Sequence, residues 1–279
     1  MKIKILSDST CDLPQALLEQ YDITLAPLTV VKGNDQFKDG VTITPADIFA
    51  HVAAGGDLCS TAAVSIGEYA ELFEQYAGEY DGVIHINIGS GFSACHQNAC
   101  LAAEDFPNVR CIDSNNLTTG QGLIVLEACR LAREMEDLDA IADALKQYAE
   151  KVESSFLVEK LDYLVKGGRC SSAAALGANL LNLKPCIELK DGKMAVGKKY
   201  RGSFAKCLAS YVKERLAGRE DIDRNTLFLT HTTVSEEALA DVAEAVNAYG
   251  FTHVYDAVAG STISCHCGPG TLGILFVRK

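Results

Sequence analysis

Short apolar runs alternate along this chain with segments whose apolar residues recur at helical spacing. Strand-like runs lie at 2–6, 23–31, 83–88 and 109–112 in the first half, whereas helical patterns lie at 118–133 and 138–151. Alternation of strand and helix signals is typical of α/β proteins. The pattern therefore predicts an α/β fold.

Capping signals mark where several helices of the first half begin. Thr44 offers a capping hydroxyl before Pro45, and the S-x-x-E pattern of Ser65 and Glu68 is a capping box. The strand at 83–88 is broken by glycines before another helix. Ser93 is therefore expected near a helix amino terminus, where backbone amides and the helix dipole favour an anion.

The second half repeats the alternation from Glu153 onward. Asp191 and Gly192 predict a hairpin, and an apolar helix is expected to stop before Pro185. At 279 residues the chain exceeds the usual size of one domain. We therefore expect two α/β domains, 1–152 and 153–279, with a ligand cleft between them. Further strands are expected at 156–158, 226–230, 252–258 and 272–277, and helices at 161–166, 173–183, 203–217 and 235–249.

Composition and charge narrow the class of function. The formal net charge of −12 and the lack of basic runs argue against nucleic-acid binding, which needs clustered Lys and Arg. No apolar run approaches the roughly 20 residues that span a bilayer, and the opening residues lack a signal-peptide pattern. We expect a cytoplasmic protein without stable membrane insertion. The 11 cysteines are scattered through predicted elements and are expected to be mostly buried, small apolar side chains.

Motifs for cofactor, metal or nucleophilic chemistry are weak. The G-x-G-x-x-G string at 268–273 leads into a strand, whereas a dinucleotide site needs a helix there. Cys265, His266 and Cys267 stand in a row, but no second ligand pair completes a tetrahedral zinc set. No cysteine and histidine form a recognisable catalytic signature. The sequence therefore predicts no cofactor, no metal and no catalytic residue.

Hydroxyl or imidazole groups occur in three predicted loops beside apolar stretches, around Thr61, Ser93 and His266. Such groups suit holding a weak anion on an apolar ligand. Each has an alternative interpretation: Thr61 and Ser93 can cap the helix that follows, and His266 can be a structural hydrogen-bonding residue. The sequence alone does not separate capping from anion binding, because both use the same donors.

Several motifs in order along the chain resemble the DegV family of bacterial fatty-acid-binding proteins. They are S-D-S-T-C-D-L at 7–13, D-Y-L-V-K-G-G-R at 162–169, L-K-P at 183–185 with D-G-K at 191–193, and H-C-G-P-G at 266–270. The resemblance implies a fatty acid between two α/β domains, with Thr61, Ser93 and His266 at its carboxylate. The chain departs from the family's T-S-x-P-S and S-G-T-Y-Q-S-A segments at Ala62, Val64, Ala94 and Cys95.

The resemblance also implies a carrier rather than an enzyme. The bound long-chain fatty acid would be presented to a separate fatty acid kinase subunit, which phosphorylates its carboxylate. Arg169 and Arg201 are then candidate contacts to the kinase, or else members of surface ion pairs. The C-terminal domain would contribute the acyl tunnel, with candidate wall residues that are leucines: Leu176, Leu180, Leu181 and Leu183.

An alternative of another class stays open at this stage. The chain could be a stand-alone enzyme acting on a small carboxylated or phosphorylated substrate through Ser93, His266 or a cysteine. Turnover without any partner would favour the enzyme, whereas a bound lipid without turnover would favour the carrier.

Overall fold

Strands and helices alternate through both halves of the chain. The computed structural model describes residues 1–174 and 183–279. In chain order the first half contains β1 Ile3–Asp8, α1 Gln15–Gln20, β2 Thr24–Ala26, β3 Thr29–Lys32, β4 Asp35–Lys38, α2 Pro45–Ala53, β5 Ser60–Ala62, α3 Ile66–Ala77, β6 Gly82–Asn87, α4 Cys95–Ala103, β7 Val109–Asp113, α5 Thr118–Glu134 and α6 Leu138–Ala149. The second half contains β8 Val152–Val158, α7 Asp162–Gly167, α8 Ser171–Ala174, β9 Leu183–Lys190, β10 Lys193–Arg201, α9 Phe204–Leu216, β11 Ile222–His231, α10 Glu236–Asn247, β12 His253–Val258, α11 Ser261–Cys267 and β13 Thr271–Arg278.

The strands form two main sheets and one small one. The first sheet is parallel, in the order β2-β1-β6-β7. The second has six strands in the order β10-β9-β8-β13-β11-β12, and only its β11–β12 pair is parallel. A small antiparallel sheet, β4-β3-β5, lies apart from them. The predicted α/β fold is confirmed, and none of the described helices is long and apolar enough to cross a bilayer.

Helix α5 lies between the two main sheets and joins their cores. It contacts β1 and β6 of the first sheet and β8, β11 and β13 of the second. One apolar cluster accordingly includes Ile84 and Ile86 from the first sheet together with Phe228 and Leu275 from the second. Because both flanks of α5 are covered, its residues from Thr118 to Val125 are all buried.

The buried polar groups at the start of α5 all have partners. Thr118 donates to Asp12 at 2.6 Å, and Gln121 Nε2 donates to Ser7 Oγ at 2.9 Å. Thr119 hydrogen-bonds to a threonine of β11. A buried polar group without a partner costs free energy, so these bonds explain how a polar segment can lie between two apolar sheets.

Two element predictions are wrong in detail. The strand expected at 23–31 is divided, because Pro27 lacks an amide hydrogen and separates β2 of the parallel sheet from β3 of the small sheet. The helix expected at 173–183 cannot extend to Leu183, which begins β9. Its central part falls in 175–182, outside the described residues, together with Leu176, Leu180 and Leu181.

We expect Gly122→Ala to destabilise the fold by about 1–3 kcal/mol, the usual cost of overpacking a core. A Cβ there would lie 2.7 Å from Leu13 Cδ2 and 2.8 Å from the Cys11 carbonyl oxygen. The matched control is Gly67→Ala in the first turn of α3, where a Cβ meets no atom within 4 Å. Urea unfolding measures both, and equal stability of the two variants would contradict this account of α5 packing.

Candidate functional site

A cavity of about 210 Å³ opens where the two halves of the chain meet. Strand β5, the loop after β6 and helix α11 contribute most of its wall. The three residues expected at the site, Thr61, Ser93 and His266, all line it. The remaining lining residues are mainly apolar: Leu28, Ala63, Ile88, Phe92, Ala94, Leu117, Arg169, Met194, Thr262, Ile263 and Cys267.

Thr61 and His266 contact each other directly across this cavity wall. Thr61 Oγ1 lies 2.9 Å from His266 Nε2, although the residues are 205 positions apart in sequence. Neither lies in a loop, contrary to the sequence-based expectation. Thr61 lies on β5, which pairs with β3, and His266 lies near the end of α11. Both elements are too short to give a clear periodic pattern, which is why the sequence suggested loops.

His266 is an uncharged hydrogen-bonding group in this setting. Burial, aided by the nearby positive charge of Arg169, lowers the pKa of His266 to about 4. A neutral imidazole carries one hydrogen. When that hydrogen is on Nε2 it is donated to Thr61, and the Thr61 hydroxyl is then free to donate its own hydrogen to a ligand oxygen. The pair can therefore present a donor without a buried cation.

Ser93 lies just before helix α4 and is partly engaged with it. Its Oγ accepts from the Cys95 amide at 3.3 Å and lies 3.2 Å from Cys95 Sγ. The Ser93 hydroxyl thus satisfies one amide of the first turn, although the residue at the N-cap position of α4 is Ala94, which has no side-chain capping bond. Thr61 differs, because α3 is capped by Ser65, whose side chain accepts from the Glu68 amide. The predicted capping box at Ser65 is confirmed.

A buried carboxylate, Asp8, holds the base of the loop that carries Ser93. Asp8 Oδ1 accepts from the Tyr69 hydroxyl at 2.6 Å and lies 2.9 Å from His85 Nε2. Its Oδ2 accepts from the Ile88 amide at 2.9 Å. From the sequence, no role in the site is predicted for Asp8. Its position at the end of the buried strand β1 was the available signal.

The cavity has a cationic edge that the sequence-based interpretation did not anticipate. Arg169 is exposed, lines the cavity and donates to the Gly167 carbonyl oxygen at 2.8 Å. It is the one charged side chain among the lining residues that the structure describes. Arg201 is exposed at the end of β10 and does not line this cavity. Of the two arginines, Arg169 can therefore affect a ligand in the cavity, whereas Arg201 lies outside it.

A second, narrow apolar space adjoins the cavity. It measures about 20 Å³ and shares Leu117, Ile263 and Cys267 with the larger cavity. Phe156 and Leu275, from the six-stranded sheet, are among its other lining residues. The apolar wall therefore continues from the polar groups toward the second sheet. Leu183, expected as a wall residue, lies on β9 and does not line either space.

The thiols near the cavity are poorly suited to nucleophilic chemistry. Burial raises the pKa of Cys267 to about 12 and also raises the pKa of Cys265. A protonated thiol is a weak nucleophile. Within residues 1–174 and 183–279, no three or more His, Cys, Asp or Glu side chains are grouped so that they could hold a metal ion.

Comparison with known proteins identifies the family. The family profile described as "Uncharacterised protein, DegV family" matches residues 2–279. This chain belongs to the DegV family. A DegV domain-containing protein of Clostridium acetobutylicum is 32% identical over 285 residues, which cover 100% of this chain and 99% of the relative.

Solved structures of DegV proteins have the same fold. A DegV family protein from Thermus thermophilus, whose structure is described as showing fatty acid binding, superposes with a TM-score of 0.91 at 30% identity, covering 100% of both chains. DegV of Bacillus subtilis, described as a fatty acid binding protein, gives 0.84 at 26% identity, again covering 100% of both chains. The expected DegV resemblance and the architecture of two α/β domains are confirmed.

The depressed pKa of His266 predicts how stability depends on pH in this DegV protein. Between about pH 6.5 and pH 4 the unfolded chain binds a proton at this histidine while the folded chain does not. Stability is therefore lost as the pH falls through this window. Relative to His266→Gln, the wild type should lose about 3 kcal/mol more between pH 7 and pH 4. Urea unfolding at a series of pH values measures the free energy of unfolding of both proteins. If it changed with pH by the same amount in the wild type and in His266→Gln, the assignment would be contradicted.

Proposed function

We propose that this DegV family member binds one long-chain fatty acid, with its carboxylate at Thr61, Ser93 and His266. The observation that carries the proposal is the convergence of these three polar side chains on one mainly apolar cavity. The fatty acid binding described for the relatives from Thermus thermophilus and Bacillus subtilis supports it. We also propose that the domains divide between residues 152 and 153, so that the cavity lies at their junction.

The head group would be held mainly by neutral donors. A carboxylate removed from water needs several hydrogen bonds, and charge-assisted bonds are roughly twice as strong as neutral ones. The Thr61 hydroxyl, oriented by His266 at 2.9 Å, is one such donor. Ser93 is a second, provided its hydroxyl turns from Cys95 toward the ligand. Arg169 at the cavity edge adds a favourable long-range field for an anion.

The hydrocarbon tail would supply most of the affinity. Each buried CH₂ contributes about 0.8 kcal/mol. The side chains of Leu117 and Ile263 line both the larger cavity and the narrow apolar space behind it, and so mark a path away from the head group. We infer that the tail follows this path toward the six-stranded sheet and widens it by side-chain movement.

We propose that the protein is a carrier subunit that works with a fatty acid kinase. The bound carboxylate would stay near the cavity edge, where a kinase could phosphorylate it. Arg169 and Arg201 are both exposed and are proposed contacts for that partner or its nucleotide. The raised pKa values of Cys265 and Cys267 weigh against the alternative of a stand-alone enzyme with a thiol nucleophile at this cavity.

Removing both hydroxyls should weaken fatty acid binding. We expect Thr61→Ala combined with Ser93→Ala to raise the Kd for oleate about 100-fold, because two hydrogen bonds to a charged group are lost. Titration of delipidated protein with oleate measures this change.

The wild-type protein should also carry about one fatty acid per chain, as expected for a single enclosed site. Mass spectrometry of organic extracts measures this amount.

The matched control for the double variant removes the hydroxyl of Ser235, which does not line the cavity. Ser235 caps α10 by accepting from the Ala238 amide at 3.3 Å, so Ser235→Ala should lower stability without changing the Kd. Unchanged affinity in the double variant, with both proteins folded by circular dichroism, would exclude Thr61 and Ser93 from the head-group site.

The proposed kinase contact is tested separately. With oleate-loaded protein, a fatty acid kinase subunit and ATP, Arg201→Ala should lower acyl phosphate formation about tenfold, since a charge contact to the partner is removed. The oleate Kd should not change. Lys193→Ala, at the exposed opposite end of β10, is the control. Equal rates for the two variants would remove Arg201 from the interface.

A further inference from the structure

Two cysteines and a histidine lie together on a face of the first domain that the proposed fatty acid site does not use. Cys100 lies on α4 and Cys111 lies on β7, which packs against that helix. Of the 11 cysteines, only Cys100 is exposed, whereas Cys111 is partly buried. We call Cys100 and Cys111 the thiol pair. Redox-sensor cysteines are solvent-accessible and often lie next to a second, resolving cysteine.

Two side chains, His96 and Cys111, surround the sulfur of Cys100. His96 precedes it by one helical turn, and His96 Nε2 lies 3.6 Å from Cys100 Sγ. Cys111, on the strand β7 that packs against α4, is the neighbour with the largest effect on the pKa of Cys100. The other ring nitrogen of His96 lies 3.2 Å from Asn87 Oδ1, which fixes the ring orientation. Cys100 therefore lies between an imidazole and a second thiol.

The charges around Cys100 favour its thiolate. Interaction with Cys111 and then with His96 lowers the pKa of Cys100 to about 5, against the opposing effects of burial and Asp113. The same contact raises the pKa of His96, and the carboxylates of Asp113 and Asp8 raise it further. The thiolate and the imidazolium thus stabilise each other. Cys111 is affected in the opposite direction, because the adjacent Cys100 raises its pKa.

We propose that the thiol pair is a reversible redox site, in which Cys100 reacts with a hydroperoxide and Cys111 converts the product into a disulfide. His96 is a positioning residue that stabilises the Cys100 thiolate. The proposal does not depend on the identity of the ligand in the cavity, since neither cysteine lines it.

Oxidation of the thiol pair to a disulfide takes two steps. The Cys100 thiolate attacks a peroxide oxygen, so that an S–O bond forms, the O–O bond breaks and an alcohol or water leaves after taking up a proton. Sulfur is oxidised by two electrons and the peroxide is reduced. The Cys111 thiol then attacks the Cys100 sulfur, forming the S–S bond, and the hydroxyl leaves as water with the thiol proton. A dithiol reductant can return the pair to thiols by exchange.

Loss of the charge on Cys100 prepares the second step. The Cys100 thiolate contributes to the raised pKa of Cys111, so Cys111 stays protonated while the pair is reduced. Sulfenic acid at Cys100 is uncharged near neutral pH, and that contribution disappears. Cys111 then becomes a better nucleophile at the moment when its attack is needed.

A second pair of neighbouring thiols provides an internal comparison. Cys59 and Cys265 also lie close enough to affect the pKa of each other, but both are buried. Burial raises the pKa of each, and no histidine contacts either sulfur through a hydrogen bond in the part of the chain that the structure describes. Proximity of two thiols is thus present at both pairs, whereas exposure and thiolate stabilisation are present only at Cys100.

The test uses the full chain, reduced and then freed of reductant. Equimolar hydrogen peroxide should lower the intact mass by two hydrogen atoms, and a non-reducing peptide map should join the peptides of Cys100 and Cys111. Cys111→Ser should instead accumulate sulfenic acid at residue 100, which dimedone traps. Cys100→Ser should abolish the rapid reaction, whereas Cys59→Ser should leave it unchanged. A Cys59–Cys265 disulfide, or no disulfide, in the wild type would overturn the proposal.

The role of His96 is tested by the pH profile of alkylation. Iodoacetamide should modify Cys100 before every other cysteine, and the rate should stay nearly constant between about pH 8 and pH 6 because the thiolate persists. In His96→Gln the rate should fall at least several-fold over the same range. A wild-type rate that falls with pH like that of an ordinary exposed thiol would contradict thiolate stabilisation and overturn the redox assignment.

Discussion

The hydrogen bond between Thr61 and His266 is the contact on which the site depends. It joins a short strand near the start of the chain to a short helix near its end, at 2.9 Å. Neither group alone could orient a donor toward the cavity, since a threonine hydroxyl rotates freely and a lone histidine can adopt either tautomer. The bond between them restricts rotation of the Thr61 hydroxyl and the orientation of the His266 ring. The two halves of the chain must therefore dock correctly before the polar end of the cavity exists.

Docking of the halves is itself governed by burial of polar groups. Helix α5 carries hydroxyl and amide side chains into the space between the two sheets, where Thr118 bonds to Asp12 and Gln121 bonds to Ser7. Asp8 plays the same part below the Ser93 loop. Each of these groups would be costly without its partner. The bonds therefore select one relative position of the sheets, while the surrounding apolar residues supply most of the stabilisation.

Sequence patterns predicted the α/β fold and three lining residues of the cavity, because strand and helix periodicity and short motifs are local features. They did not predict that Thr61 lies on a strand, that His266 lies on a helix or that Asp8 anchors a loop. These depend on contacts between residues far apart in sequence. Pro27 is an intermediate case: its missing amide hydrogen was visible in the sequence, but the change of sheet at that point was not.

The thiol pair also combines a local feature of the sequence with a contact between distant residues. His96 and Cys100 are one turn apart and could be recognised as neighbours from the sequence, whereas Cys111 joins them only through the packing of β7 against α4. Its proximity gives Cys100 a chemical environment that none of the buried cysteines shares. Spacing along one helix predicts which residues are neighbours, whereas only the tertiary structure shows which residues from other elements join them.

A crystal structure with a bound long-chain fatty acid tests the central claim most directly. The account predicts carboxylate oxygens within hydrogen-bonding distance of Thr61 Oγ1 and Ser93 Oγ, with His266 still bonded to Thr61 and the tail passing Leu117 and Ile263. A carboxylate held in solvent by Arg169 alone, or a tail lying outside the cavity, would contradict it.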